Sequence, residues 1–342
     1  MNRWKILAFS LLPTLLLLAA AEVGWRLIYF QRHANTATAV GDLYQRVAHR
    51  SAYRIEANGP LYAKHPQLGF LGVPGSHDIR IISPYGTRSF RMTIGPDGYR
   101  ITQASPPPSG RKKEIWIFGC SFTWGWGVDD PQTFPWLIHE RFPDFTVRNF
   151  AVGAYGNVHA LVQLQDLLKH HEPPAAAVFA YNAFHLARNV GATWWLLRLN
   201  VVERAVFQDI SYLRAGMDPN GKLYTTLIPL GNSEVGQFPP YLIQRPDLYY
   251  EVLVTKEIFG EIKKLADRHG FVPVFAFQTP ASDDAVAANA RALGYLVADI
   301  AVPGPTGFSF RPIDDHPNEI AHQAYAAKLA PALQEALRRH AK

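Results

Sequence analysis

A strand that ends in a glycine and a serine constrains the fold of this chain most. Ile115-Trp116-Ile117-Phe118 runs without a polar residue into Gly119, and Ser121 follows two positions later. Such an apolar run is typical of a strand that is covered on both faces of a parallel sheet. Open α/β sheets bind ligands at the carboxyl ends of their strands, so the Ser121 hydroxyl is a candidate nucleophile. The alternative interpretation of Ser121 is an ordinary helix N-cap.

From residue 112 onward, strand-like and helix-like segments alternate, which predicts a parallel sheet between two layers of helices. The predicted strands are 114–118, 146–151, 175–180, 272–277 and 296–301, and the predicted helices are 133–142, 157–171, 249–269, 283–293 and 317–338. Between residues 190 and 245 the alternation fails. We interpret this aromatic stretch as an insertion that either covers the site or packs on the sheet. The expected fold is a three-layer αβα domain with a flavodoxin-like sheet over residues 112–342.

Residues 31–111 predict a stalk, at about residues 31–60, followed by a small β-rich subdomain. Glycine and proline recur between residues 61 and 100 and separate short alternating segments, which is typical of antiparallel strands joined by tight turns. The run Ser105-Pro106-Pro107-Pro108-Ser109-Gly110 then predicts a linker.

Residues 1–30 predict a membrane anchor or a signal segment. Residues 6–21 carry no charge, and Trp4 and Trp25 bracket them like interfacial anchors, so a helix here reaches about 30 Å. A cleaved signal peptide is the alternative, because Ala19-Ala20-Ala21 offers small residues after a leucine-rich core. Both interpretations place most of the chain outside the cytoplasm, in the periplasm or at the cell surface.

Composition argues against several other classes of function. The net charge is +6, but no basic run exceeds Arg111-Lys112-Lys113, so we expect no nucleic-acid partner. Cys120 is the single cysteine, which excludes an internal disulfide and a multi-cysteine metal site. The pairs Asp129-Asp130 and Asp314-Asp315 lack a metal-ligand spacing. We therefore expect neither a metal nor a cofactor.

Four segments together resemble the SGNH, or GDSL-like, hydrolase family, and the predicted anchor, β-rich subdomain and linker resemble its membrane-anchored bacterial members. Gly119-Cys120-Ser121 resembles the block whose serine is the nucleophile, with Cys120 where the family usually has Asp. Residues 149–157 look like the second block, and Gly153 matches the glycine whose N–H belongs to the oxyanion hole. In residues 179–185, Asn182 matches the asparagine of the same hole, and Ala183 replaces an Asp. Residues 314–318 resemble the closing block with the acid and the base.

The residues of these blocks can carry acyl transfer. A serine hydroxyl needs a base, and the base needs an acid that holds one tautomer, roles that Ser121, His316 and Asp314 can fill. The commoner family spacing would place the acid at Ile313, which cannot serve. In an extended Asp-x-His segment the two side chains point to the same side, which favours Asp314 over Asp315.

An oxyanion would be stabilised by the Ser121 and Gly153 N–H groups and by Asn182 Nδ2. His185 and Arg188 follow Asn182 closely and are candidate substrate-binding residues.

The resemblance implies a serine esterase that acts on an acyl or acetyl ester of a lipid or glycan. Two alternatives stay open at this point. One is an O-acetyltransferase with the same triad, because an acyl-enzyme can be resolved by a sugar hydroxyl instead of water. The other is a non-catalytic glycan-binding module of a cell-envelope assembly, which Cys120 and Ala183 favour.

Overall fold

The chain divides into two compact units, Met1–Arg50 and Ser51–Lys342. The computed structural model describes residues 53–105, 113–199, 207, 210–230, 248–278, 285–304 and 306–341, and in the first unit the four helical residues Leu17, Ala20, Ala21 and Val23. Among all these residues, no helix combines the length and the apolar character that crossing a membrane requires. The rest of the predicted anchor, the stalk up to residue 52 and the linker at 106–112 lie outside the described residues.

Five strands form the first part of the larger unit. They are β1 (Arg54–Ala57), β2 (Tyr62–His65), β3 (Gly69–Gly72), β4 (Gly75–Ser83) and β5 (Gly86–Ile94). An antiparallel sheet has the order β1-β4-β5, and β2 pairs with β3 in a separate hairpin. Residues 53–101, here called the β unit, thus contain the predicted antiparallel strands, and they belong to the larger compact unit, Ser51–Lys342.

The remaining elements alternate between strands and helices. In chain order they are β6 (Glu114–Phe118), α1 (Ser121–Trp124), the 3-10 turn Asp130–Gln132, α2 (Phe134–Arg141), β7 (Thr146–Asn149), α3 (Asn157–His170), β8 (Ala176–Tyr181), α4 (His185–Val190), α5 (Thr193–Leu197), β9 (Ser211–Met217), β10 (Leu223–Pro229), α6 (Leu248–His269), β11 (Val272–Phe277), α7 (Ala285–Ala292), β12 (Leu296–Asp299) and α8 (Glu319–His340). A parallel sheet of five strands has the order β12-β11-β8-β6-β7. This is the flavodoxin-like order, which confirms the predicted sheet.

Helices cover both faces of this sheet. Successive side chains of a strand point to opposite faces. Ile115 and Ile117 accordingly join the cluster that contains residues of α2 and α8, whereas Trp116 and Phe118 join the cluster that contains residues of α3 and α6. The apolar run at residues 115–118 is therefore buried on both sides, and the domain has the predicted three layers.

The described part of the insertion packs against the domain. β9 and β10 pair as an antiparallel hairpin. Tyr212 and Leu213 of β9 are buried in the cluster of α3 and α6, and the Tyr212 hydroxyl donates a hydrogen bond to the Ala154 carbonyl at 3.1 Å. Residues 200–206, 208–209 and 231–247 of the insertion lie outside the described residues, so covering of the site by the insertion stays a prediction.

The β unit shares its apolar core with the segment that follows the serine. Ile79 and Phe90 of the β unit lie in one buried cluster with Trp124 and Trp126. The sheet of the β unit thus packs directly behind α1, where the candidate nucleophile lies.

Candidate active site

Ser121 lies at the carboxyl end of the central strand β6, where the chain turns sharply into α1. Gly119 permits this turn because a Cβ at that position would lie 2.2 Å from Thr123 Oγ1. Cys120 is the extended N-cap of α1, and its carbonyl accepts hydrogen bonds from Thr123 N and Trp124 N at 2.9 and 2.8 Å. The alternative interpretation of Ser121 as a helix N-cap is therefore wrong, because Cys120 is the N-cap and Ser121 is the first residue of the helix.

His316 and Asp314 approach Ser121 from the segment that precedes α8. The distance from His316 Nε2 to Ser121 Oγ is 2.8 Å, and the distance from His316 Nδ1 to Asp314 Oδ1 is 2.5 Å. Asp314 Oδ1 also accepts the backbone N–H of His316 at 2.8 Å. Three residues that the sequence analysis selected thus form one continuous hydrogen-bonded path, although 195 positions separate Ser121 from His316.

The charge state of Asp314 determines which ring nitrogen of His316 carries the proton. Burial by itself raises the pKa of Asp314, but the attraction of His316, the hydrogen bonds from His316 and one from Tyr53 outweigh it and hold that pKa well below its usual range. An ionised carboxylate only accepts hydrogen bonds, so Nδ1 carries the proton and Nε2 presents a lone pair. The lone pair faces the Ser121 hydroxyl, as a general base requires.

Asp315 is turned away from the imidazole. Its carboxylate accepts a hydrogen bond from Arg311 Nε at 2.6 Å, and both side chains are about half exposed. The structure therefore places Asp314, the residue that the extended Asp-x-His geometry favours, against His316.

Two backbone donors lie in the turns that follow β6 and β7. Within the described residues, neither the Ser121 N–H nor the Gly153 N–H donates to another group. Gly153 is buried, and a Cβ there would lie 2.2 Å from Tyr62 Oη and 3.1 Å from the Trp124 ring. The next residue, Ala154, has a left-handed φ of 68°, a conformation that is uncommon for a residue with a Cβ. The loop is therefore tightly constrained where the predicted oxyanion donor lies.

Asn182 lies at the end of β8, fully buried beside Cys120. Its Nδ2 donates to Gln278 Oε1 at 3.0 Å and lies 3.8 Å from Cys120 Sγ. In this arrangement Asn182 Oδ1 and Gln278 Nε2 have no partner among the described residues. The structure thus brings Asn182 to the residue beside the nucleophile, but it engages the amide donor with Gln278.

His185 and Arg188, the candidate substrate-binding residues, are both buried. His185 is fully buried, and its Nδ1 lies 3.0 Å from Asn157 Oδ1. Burial, Arg188 and His159 lower the pKa of His185 well below its usual value, so the ring is neutral. Arg188 is also buried, with its guanidinium over the rings of Phe184 and Trp195 at 4.3 and 4.1 Å. Because α4 turns both side chains toward the core, direct contact of His185 or Arg188 with the substrate stays a prediction.

Half-buried aromatic rings lie beside the imidazole of His316. The Phe122 ring lies 5.4 Å from the His316 ring, and the Phe184 ring lies 5.4 Å from the Phe122 ring. Behind His316, four nearly parallel rings form a stack, and its end at Trp126 lies 6.2 Å from the His316 ring. The stack consists of Trp126, Trp124, Tyr62 and Phe207. Sequence reasoning missed Phe122 and Phe184 as lining residues, although both follow a predicted site residue closely.

A buried arginine from the end of the β unit fixes the loop after α1. Arg100 is 2% exposed, and its Nε donates to Asp130 Oδ1 at 2.7 Å. The other guanidinium nitrogens donate to the carbonyls of Trp124, Gly125, Arg91 and Val128. Sequence analysis did not single out Arg100, because nothing local to it distinguishes it from a surface arginine.

No protein-family model matches this chain. No curated protein matches it. Among solved structures, TesA is similar over 66% of this chain and 100% of its own, with 14% identity and a TM-score of 0.40. A lipolytic G-D-S-L family protein from Veillonella parvula DSM 2008 matches over 65% of this chain and 98% of its own, with 10% identity and a TM-score of 0.37.

The psychrotrophic esterase EstA from Pseudoalteromonas sp. matches over 66% of this chain and 99% of its own, with 11% identity and a TM-score of 0.37. The family named among these structures is the one that the sequence blocks resemble. The geometry of Ser121, His316 and Asp314 is that of a serine-hydrolase triad, and the functional assignment rests on it.

Proposed function

We propose that this protein is a serine esterase that cleaves an acyl or acetyl ester of a lipid or glycan. The observation that carries the proposal is the hydrogen-bonded path from Asp314 through His316 to Ser121. A non-catalytic module would not need a base within 2.8 Å of the serine hydroxyl.

In the first half of the reaction, Ser121 Oγ attacks the ester carbonyl carbon while His316 Nε2 takes the hydroxyl proton. Asp314 stabilises the imidazolium that forms. The tetrahedral intermediate then collapses, the bond to the alkoxy oxygen breaks, and His316 returns its proton to the leaving alcohol. The product of this half is an acyl-enzyme on Ser121. Water resolves the acyl-enzyme by the same steps, and the carboxylic acid leaves.

The Ser121 and Gly153 N–H groups are the backbone donors for the oxyanion in this proposal. Asn182 joins them if the amides of Asn182 and Gln278 both rotate by half a turn. The hydrogen bond between the two side chains is then kept, from Gln278 Nε2 to Asn182 Oδ1, and Asn182 Nδ2 occupies the position that Oδ1 holds. Losing a single oxyanion donor typically costs about 100- to 1000-fold in rate.

Phe122 and Phe184 provide the surface for the apolar part of the substrate. Both rings are half-buried, and the Phe122 ring lies 5.4 Å from the rings of both His316 and Phe184. Partly exposed aromatic rings gain free energy when they cover apolar groups, at about 0.8 kcal/mol per buried methylene. An acyl chain that lies across the two rings would be recognised in this way.

The test of the proposal is the replacement Ser121→Ala. Turnover of p-nitrophenyl acetate should fall by about 10⁶-fold, down to the level that binding and the oxyanion donors supply. Ser89→Ala is the matched control, because Ser89 is exposed in β5 and should leave the rate unchanged. A fluorophosphonate probe should form its adduct on Ser121, as mapped by peptide mass spectrometry. Undiminished turnover by Ser121→Ala would disprove the assignment.

The acceptor of the acyl group is decided by product analysis. Hydrolysis predicts free acid and alcohol when a glycan is supplied together with the ester. An O-acetyltransferase would instead yield the acetylated glycan, because a sugar hydroxyl replaces water in the second half of the reaction.

We also propose that the protein works outside the cytoplasm and that residues 1–30 attach it to a membrane. The uncharged run at residues 6–21, bracketed by Trp4 and Trp25, supports this location. The full chain should then remain in the membrane pellet after carbonate extraction. Amino-terminal sequencing distinguishes the anchor from a cleaved signal peptide.

A further inference from the structure

The loop that carries the acid and the base rests on the β unit. The Arg88 guanidinium of β5 lies 4.3 Å over the ring of Phe310. A Cβ at Gly86 would lie 3.2 Å from Ile313 Cδ1, so the backbone there closely supports the residue before Asp314. Tyr53 and Ile313 both pack against the apolar cluster of the β unit. Several independent contacts thus connect the β unit with residues 310–314.

One of these contacts reaches the carboxylate itself. The Tyr53 hydroxyl donates a hydrogen bond to Asp314 Oδ2 at 2.9 Å, across 261 positions of sequence. Asp314 Oδ1 already accepts the two N–H groups of His316. The two oxygens therefore have different partners, because Oδ1 accepts hydrogen bonds from His316 and Oδ2 accepts one from Tyr53.

The burial of Asp314 makes the second contact important. Its side chain is 5% exposed, so water has little access to Oδ2. Among the described residues, Tyr53 is the hydrogen-bond donor that Oδ2 has. Without that donor, Oδ2 would compete with Oδ1 for the His316 N–H groups by rotation of the carboxylate, and the imidazole would lose its single orientation.

We propose that Tyr53 is a positioning residue of the triad, which orients Asp314 and through it His316, so that the β unit completes the catalytic centre. This inference rests on the proposed esterase function. It assigns a catalytic purpose to a segment that lies far outside the four sequence blocks.

The test is Tyr53→Phe in the full chain, because this change removes the hydroxyl and keeps the ring in the apolar cluster. We expect kcat for p-nitrophenyl acetate to fall about 10- to 100-fold, the factor that corresponds to one hydrogen bond to a charged group, with KM unchanged. The rate of fluorophosphonate labelling of Ser121 should fall by the same factor. Tyr85→Phe is the matched control, since Tyr85 is 71% exposed in the turn between β4 and β5.

A double replacement separates positioning from general support of the fold. In an Asp314→Asn background, Tyr53→Phe should have no further effect on kcat, because the two residues act in one path. Labelling rates are measured on the folded monodisperse fraction, so that a partly unfolded variant still gives a result.

The inference is overturned if Tyr53→Phe keeps kcat within twofold of the unmodified protein. It is also overturned if the replacement lowers kcat by the same factor with and without Asp314→Asn. Failure of the proposed function has a different signature, namely turnover that survives Ser121→Ala.

Discussion

Replacement of Arg100 by methionine tests how the loop behind the nucleophile is held. The Arg100 side chain is fully buried, and every guanidinium nitrogen has an acceptor. Methionine fills a similar volume but donates nothing. The change therefore removes one ion pair with Asp130, which is 8% exposed, and leaves a set of backbone carbonyls without their donor. Those carbonyls belong to Arg91, Trp124, Gly125 and Val128.

The expected loss of stability follows from these contacts. Breaking a buried ion pair by removing one partner costs about 3–5 kcal/mol. A buried acceptor without a donor costs about 1 kcal/mol or more, although water can enter and satisfy some of them. We expect Arg100→Met to lower the free energy of unfolding by about 4–6 kcal/mol, which is a large part of the total of about 5–15 kcal/mol for a typical protein. Arg100→Lys should cost about half, because it keeps the charge and three of the donors.

Urea unfolding followed by tryptophan fluorescence measures this loss, and Trp124 and Trp126 report on the loop itself. Arg80→Met is the matched control, because Arg80 is 57% exposed in its ion pair with Glu56 and should cost less than about 1 kcal/mol. A loss below about 1 kcal/mol for Arg100→Met would refute the reasoning. The double variant Arg100→Met with Asp130→Leu gives a second test. If it has the free energy of unfolding of the unmodified protein, the reasoning is also refuted, since the carbonyls would then contribute nothing.

Further changes probe the surroundings of the site. Gly153→Ala should destabilise the fold by about 1–3 kcal/mol in thermal unfolding, and Tyr62→Phe should partly restore it, because Tyr62 Oη lies 2.2 Å from the added Cβ. Ala154→Gly should stabilise by about 1 kcal/mol, since glycine adopts its φ of 68° without strain. Phe184→Ala should reduce kcat/KM for an octanoyl ester more than for an acetyl ester, and an equal reduction would contradict contact with the chain. Burial lowers the pKa of His159 to about 3, so the unfolded chain binds its proton first as the pH falls from about 6.5. As the pH falls from about 6.5 towards 3, protonation of His159 in the unfolded chain should therefore lower the free energy of unfolding by about 1.4 kcal/mol per pH unit. His159→Gln should remove this contribution to the pH dependence, as measured by urea unfolding at several pH values.

The central sheet could be predicted because its signal is local. β6, β8 and β11 are short apolar runs, and the predicted strands 114–118 and 272–277 have the bounds of β6 and β11. The five predicted helices lie within a few residues of the bounds of α2, α3, α6, α7 and α8, whereas the short helices α1, α4 and α5 have no predicted counterpart. For example, α8 begins at Glu319, because the Asn318 side chain accepts a hydrogen bond from Ala321 N, whereas the sequence placed the helix start at Pro317.

The contribution of the β unit could not be predicted, because it depends on contacts between distant residues. Alternating segments between residues 61 and 100 indicated antiparallel strands, but β1 was assigned to a stalk. The pairing of β1 with β4 brings Tyr53 towards Asp314, and this pairing has no local signal. The burial of His185 also could not be predicted, because whether α4 turns a side chain inward depends on the layer against which it packs.

The surroundings of Cys120 also depend on contacts between distant residues. Cys120 is fully buried, where an ionised Asp would lose its hydration at a cost of several kcal/mol, whereas a thiol is buried as a small apolar group. Asn182 Nδ2 lies 3.8 Å from Cys120 Sγ and donates to Gln278 Oε1, because β6, β8 and β11 are neighbours in the sheet and their carboxyl ends meet at one edge. Gln278 is 96 positions from Asn182, so only its place at the end of a predicted strand could have indicated this hydrogen bond. A thiol beside Ser121 therefore avoids the cost that a buried carboxylate would have there, and the side chains of Asn182 and Gln278 at the same edge of the sheet are neutral amides.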